Sequence, residues 1–357
     1  MIRVLLDGLH RKTRNAHLWL PSYVAGRWRE KGRGWPAHAW VTLADHFEPY
    51  WGTADSRVAG ERVARWVRAL PDILARHSDT TGRSPRYGFF YPEEQYTPEL
   101  LESLAALTRK HFADVEVHIH HDGGGEAEFV DRMGRFIERL WTRHGLLRRV
   151  EGRLRFGFIH GNWALDNSLP DGRWCGLNNE LTLLKDLGCY ADFTLPAAPS
   201  PAQAGPVNVI YRATDDPTRP RSHERGVPVR PGTPAVGDVT IVPGPLGLSW
   251  AGRPLFKPRL DTGEVAANHG SSPARVRLWL RVAPRIAGHA FIKLFAHGAQ
   301  ERSTSALLDH GGLDELCANL KEVCGANGTA LHYVTPWEMW LAIERLRLRE
   351  DPLGLLC

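Results

Sequence analysis

A chain of 357 residues with 43% hydrophobic content can bury a large core, and no domain-length segment has a disordered composition. The formal charge of +5 comes from 45 basic and 40 acidic residues; Arg dominates, with only 7 Lys. The arginines are scattered among acids, as in Arg57-Val-Ala-Gly-Glu61-Arg62, without the clustered basic and aromatic pattern that nucleic-acid binding requires, so no nucleic-acid partner is expected.

Five widely spaced cysteines (Cys175, Cys189, Cys317, Cys324, Cys357) form no CxxC pair, which argues against a zinc knuckle or a disulfide framework and for reduced, buried thiols. Met1–His10 has too short an apolar run for a signal peptide, and no stretch is long and apolar enough for a membrane span. The expectation is a cytoplasmic protein.

In chain order, the first strand is His38–Asp45, followed by a helix over 55–77 with apolar residues at helical spacing (Val63, Trp66, Val67, Leu70, Leu74). Arg86–Tyr91 reads as a second strand and Thr97–Phe112 as a helix, with Thr97 as N-cap and Pro98 at its first position. The third strand is Val115–His121, with a helix at 126–144 behind it. A fourth strand (Leu154–His160), a helix (176–187) and a fifth strand (Tyr190–Leu195) continue the alternation.

From 197 to 285 the chain is crowded with Pro and Gly and reads as a loop-rich insertion within one domain spanning 1–357. The pattern resumes with a strand at His289–His297, a helix at 311–324, a strand at Ala330–Val334 and a helix at 336–349 capped by Thr335. This is an α/β chain, and the repeated βα units predict a deformed, TIM-like (β/α) barrel of seven or eight units.

In such a barrel reactive groups sit at the carboxyl ends of strands. Five ends carry them: Asp45-His46-Phe47-Glu48; His118-Ile-His120-His121-Asp122; His160-Gly-Asn162-Trp163; Asp192; and His297. Strand alternation turns Val115, Val117 and Ile119 toward the outer helices and Glu116, His118, His120 and Asp122 inward. Two imidazoles spaced by one residue can chelate a divalent ion, zinc by ligand type, with Asp45 as a third ligand and a position left for water.

The ordered set resembles the polysaccharide-deacetylase (NodB-homology) family of the glycoside hydrolase/deacetylase barrel superfamily. Thr42-Leu-Ala44-Asp45-His46 falls where that family has an Asp-Asp motif, and Glu116-Val-His118-Ile-His120 where it has its His-containing second motif. Phe158–Trp163, Leu187–Asp192 and Phe295-Ala-His297 stand at the later motifs, over roughly residues 38–340. The resemblance implies removal of an acetyl group from an N-acetylated sugar or polysaccharide by metal-activated water. It implies Asp45, His118 and His120 as ligands and His297 as the acid that protonates the leaving amine; apart from the resemblance, His46 is an alternative ligand.

The chain departs from the pattern at two points. Ala44 replaces the family's base, for which Glu48 is a substitute, and position 124 is Gly where a second-motif His would stand. Asp192 is read as orienting a catalytic group; His160, Asn162 and Trp163 are read as substrate contacts. The alternatives are a glycosidase of the same superfamily, with Asp45 or Glu48 paired to Asp192, and a catalytically silent carbohydrate-binding protein.

Overall fold

The computed structural model describes residues 15–250 and 258–356. The N-terminal segment read for a leader, and Cys357, lie outside the described residues. Among those described, no helix is long and apolar enough to cross a membrane.

Helix α1 (Ala16–Arg29), which the sequence reading lacks, precedes β1 (His38–His46). Then come α2 (Ser56–Ala75), β2 (Tyr87–Pro92), α3 (Pro98–Arg109), β3 (Ala113–Ile119), α4 (Gly125–His144), β4 (Arg148–Val150) and β5 (Arg153–His160). Helix α5 (Glu180–Leu187) and β6 (Cys189–Asp192) follow, each shorter than expected. Five brief strands come next: β7 (Tyr211–Ala213), β8 (Gly226–Pro228), β9 (Val239–Ile241), β10 (Gly247–Ser249) and β11 (Arg259–Asp261). The chain closes with α6 (Pro273–Val282), β12 (Arg285–Ile286), β13 (His289–Ala296), α7 (Gly312–Ala326), β14 (Ala330–Tyr333) and α8 (Pro336–Arg347).

Local signals explain several boundaries. Asp55 caps α2 by accepting the Arg57 amide proton at 2.8 Å. Thr335 and Glu338 form a reciprocal capping box at the start of α8, with Pro336 at its first position. Thr97 stands before α3, but its hydroxyl donates to the Gln95 carbonyl instead of capping the helix.

The 12-stranded sheet is mostly parallel and runs β12-β13-β1-β2-β3-β5-β6-β9-β7-β8, with β14 on β1 and β4 on β5. Pairing along β13-β1-β2-β3-β5-β6-β9 is parallel throughout. The 197–285 stretch is therefore more than a loop-rich insertion. Strand β9 adds a parallel neighbour to β6, β7 and β8 extend the sheet beyond it, and α6 packs Val276, Trp279 and Leu280 into the main core.

The two faces of this sheet pack into different cores. Ala39, Val41, Leu43 and Phe47 around β1, Val115, Val117 and Ile119 of β3, and Phe156 and Phe158 of β5 join the large core shared with α2, α3, α4 and α7. The alternate residues Trp40, Ala44, Phe90 and Ile159 join a second core with Met339, Ala342, Ile343 and Leu346 of α8. Period-two alternation thus sorts each strand residue between the face that α2, α3, α4 and α7 cover (the helix-covered face) and the opposite face, part of which packs on α8 (called the inner face).

Candidate metal centre

At the carboxyl ends of β1 and β3 the inner face carries His46, Glu48, His118 and His120. One carboxylate oxygen of Glu48 and one ring nitrogen each of His118 and His120 lie within 4.8 Å of one another. Glu48 Oε1 is 3.0 Å from His120 Nε2 and 3.6 Å from His118 Nε2. A tetrahedral zinc site with bonds near 2.0–2.1 Å separates its nitrogen and oxygen donors by about 3.3 Å, so the two distances bracket that spacing.

The hydrogen bonding around these donors is directional. Glu94, in the turn after β2, lies 2.5 Å from His120 Nδ1 and also accepts from the His120 amide. A carboxylate on the far ring nitrogen fixes the tautomer and turns Nε2 toward the centre, the usual outer support of a metal-bound histidine. His118 is fully buried with neither ring nitrogen hydrogen-bonded, and Glu48 Oε2 is likewise without a partner. Unsatisfied buried donors of this kind fit a divalent ion.

Charge follows the same geometry. Burial works against the His120 cation, but hydrogen bonds to Glu48 and Glu94 lift its pKa to about 9. Burial would raise Glu48, yet the adjacent His118 and His120 rings hold it near 2. Without an ion, an imidazolium takes the place of the positive charge beside a fixed carboxylate. Burial lowers the pKa of His118 despite the neighbouring Glu48.

Around this centre stand His46, His297 and Trp163. The His46 ring lies 5.1 Å from His118, 4.9 Å from His297 and 5.3 Å from Trp163, centroid to centroid. Burial depresses the pKa of both His46 and His297. His297 Nδ1 is 3.9 Å from Glu264. Gly161 lets the end of β5 approach this group, because a Cβ there would come within 2.5–2.6 Å of the His120 ring.

Four expected residues stand elsewhere. Asp45 is absent from the donor group because alternation places it on the helix-covered face, between Leu43 and Phe47. Its oxygens accept from the Gly298 amide (2.6 Å) and the Tyr87 hydroxyl (3.0 Å), and burial raises its pKa to about 7. His46 sits beside the three donors without joining them. Asp192 is fully buried, its two oxygens accept from the Thr194 amide and hydroxyl, and it is not one of the three donors. His160 is 0% exposed and lies against Glu180 on the helix-covered side, out of reach of a substrate; Asn162 and Trp163 are partly exposed.

Glu94 went unassigned in the sequence, although its place just past a strand's carboxyl end was a usable signal. Neither a family model nor a curated protein matches this chain.

Proposed function

We propose that this protein is a metal-dependent hydrolase whose centre is Glu48, His118 and His120, and that it removes the acetyl group from an N-acetylated sugar. The observation that carries the reading is the orientation of His120. Glu94 occupies Nδ1 while Nε2 faces Glu48 and lies beside His118, so three donors converge at the mouth of a parallel sheet. The substrate class rests on the resemblance to polysaccharide deacetylases, with Glu48 taking the ligand place that the resemblance gives to Asp45.

Glu48, His118 and His120 would hold the ion, zinc by the nitrogen-and-oxygen donor set. Such an ion lowers the pKa of water and polarises a carbonyl oxygen. Glu94 keeps the His120 tautomer fixed. His297, neutral because burial disfavours its cation, accepts the proton released as water adds to the acetyl carbon. It returns that proton to the amine nitrogen as the C–N bond breaks, giving acetate and the free amine. Trp163, packed on His46 and His297, offers an aromatic face for a sugar ring.

The finer architecture in this reading is a deformed (β/α) barrel with the centre at its carboxyl-end mouth. Two contacts beside β13 support closure: Glu264 pairs parallel to Phe295, and Gly244, after β9, lies against the Lys293 carbonyl.

The silent-binder alternative draws on one observation: without metal, His120 already satisfies two carboxylates. Acetate release from N-acetylated oligosaccharides by zinc-loaded protein separates the two. The parent is expected to release acetate, and His118→Ala to lose at least about 100-fold, more than the loss of an outer-shell partner costs. A zinc-loaded parent that releases no acetate sinks the deacetylase reading.

A further inference from the structure

Behind the candidate centre, on the helix-covered face, a second group of donors closes around a buried point. We infer that His121, His160, Cys175 and Glu180 form a separate structural zinc site that ties the 161–179 loop to the ends of β3 and β5. One donor atom from each lies within 4.8 Å of the others, and all four residues are buried. Glu180 Oε1 is 2.9 Å from His121 Nε2 and 3.7 Å from His160 Nε2, and Cys175 Sγ is 3.4 Å from Glu180 Oε2. These distances bracket the donor spacing of a tetrahedral zinc ion, with a thiolate, two imidazoles and a carboxylate as a complete set.

Two further observations point to an ion. His160 Nε2 is fully buried, aimed into the group, and has no hydrogen-bond partner; His121 Nδ1 is also unpartnered. The Glu180 carboxylate, fully buried, meets the Asp166 amide, the Cys175 thiol and the His121 and His160 rings, and a zinc ion among these donors would balance its charge. On binding, the Cys175 thiol loses its proton to solvent. The His160 ring proton moves to Nδ1, and the long 3.3 Å contact from the Asn162 amide opens.

The loop that this site would hold is conformationally demanding. Trp163, Asp166, Asn167 and Trp174 all have φ between 54° and 63°, a region that side-chain-bearing residues enter only when the surroundings impose it. Glu180 accepts the Asp166 amide at 2.7 Å, and Cys175 accepts that of Asn167. The same loop delivers Trp163 to His46 and His297, so closing the rear site would steady the aromatic wall of the front one.

Zinc and cobalt loading of the full chain test the site. The parent is expected to bind two equivalents of zinc, and its cobalt form to show thiolate-to-cobalt charge-transfer absorption. Cys175→Ser should lose that band. Cys175→Asp should lose the band but retain two equivalents. A His118→Ala/His120→Ala double variant should keep the band and lose one equivalent, which separates this site from the proposed catalytic centre. Folded parent protein that loads cobalt without the band overturns the inference, whether or not the Cys175 variants fold. A band that persists in Cys175→Ser overturns it equally.

Discussion

His120 and His121 are adjacent in sequence and belong to two different clusters. Each cluster has a carboxylate oxygen near 3 Å from one imidazole and near 3.6 Å from another, Glu48 at the front and Glu180 at the rear. They differ in closure. At the front the His120 side chain keeps 26% exposure, and the first-contact donors number three. At the rear four donors are sealed, one of them a thiol. An open three-donor set leaves room for water and substrate, whereas a closed four-donor set can only hold structure. Two neighbouring residues just past β3 thus enter different donor clusters, one open and one sealed, according to the face each one takes.

The sharpest way to break this division is Glu48→Gln. Acetate release should fall by at least about 100-fold with the loss of one zinc equivalent, while the cobalt–thiolate band survives. Activity within tenfold of the parent would show that the front cluster is not the reaction centre. Glu94→Gln should act one step removed. It lowers front-site metal affinity about 10–100-fold, read by competition with a chelator, and leaves the rear site loaded. An unchanged affinity would remove Glu94 from its supporting role.

Gly298→Ala tests the claim that Asp45 is structural. The added Cβ would collide with the Asp45 carboxylate and the Trp66 ring, so denaturant unfolding should show a loss of about 1–3 kcal/mol. Metal content should stay unchanged, and loss of front-site zinc on its own would return Asp45 to the ligand set.

The smallest effect concerns protons. In metal-free protein the His120 pKa is raised from 6.5 to about 9, so the folded state binds the proton more tightly than the unfolded chain. The stability His120 contributes is therefore full below pH 6.5 and fades as pH rises through 9. The gap in unfolding free energy between parent and His120→Gln should close over that window, by on the order of 1 kcal/mol after solvent screening. A gap independent of pH would mean that Glu48 and Glu94 do not share a proton with His120.

Much of the centre was legible in the chain. The His118/His120 spacing fixed a common face for the two rings, and both stand together inward, as period two requires. The same rule applied to β1 puts Ala44 and His46 inward and Asp45 outward with Leu43 and Phe47. That parity separates Asp45 from the pair, whatever the family pattern suggests. Cys175 read as an inert buried thiol because no second cysteine stood nearby, and its partners come from positions 121, 160 and 180. Glu180 looked like an ordinary acid in the first turn of a helix.

By itself, then, the sequence determined the main alternation of strands and helices, the Thr335 cap but not the one expected of Thr97, and the parity of each strand residue, because these depend on neighbours a few positions away. Only the tertiary structure decided that Glu48 and Glu94 flank one imidazole and that Glu180 reaches two others. It also decided that β9 belongs to the sheet instead of to a loop. Those outcomes depend on the order in which strands lie side by side and on which loop folds over which end, and long-range packing of the whole chain sets both.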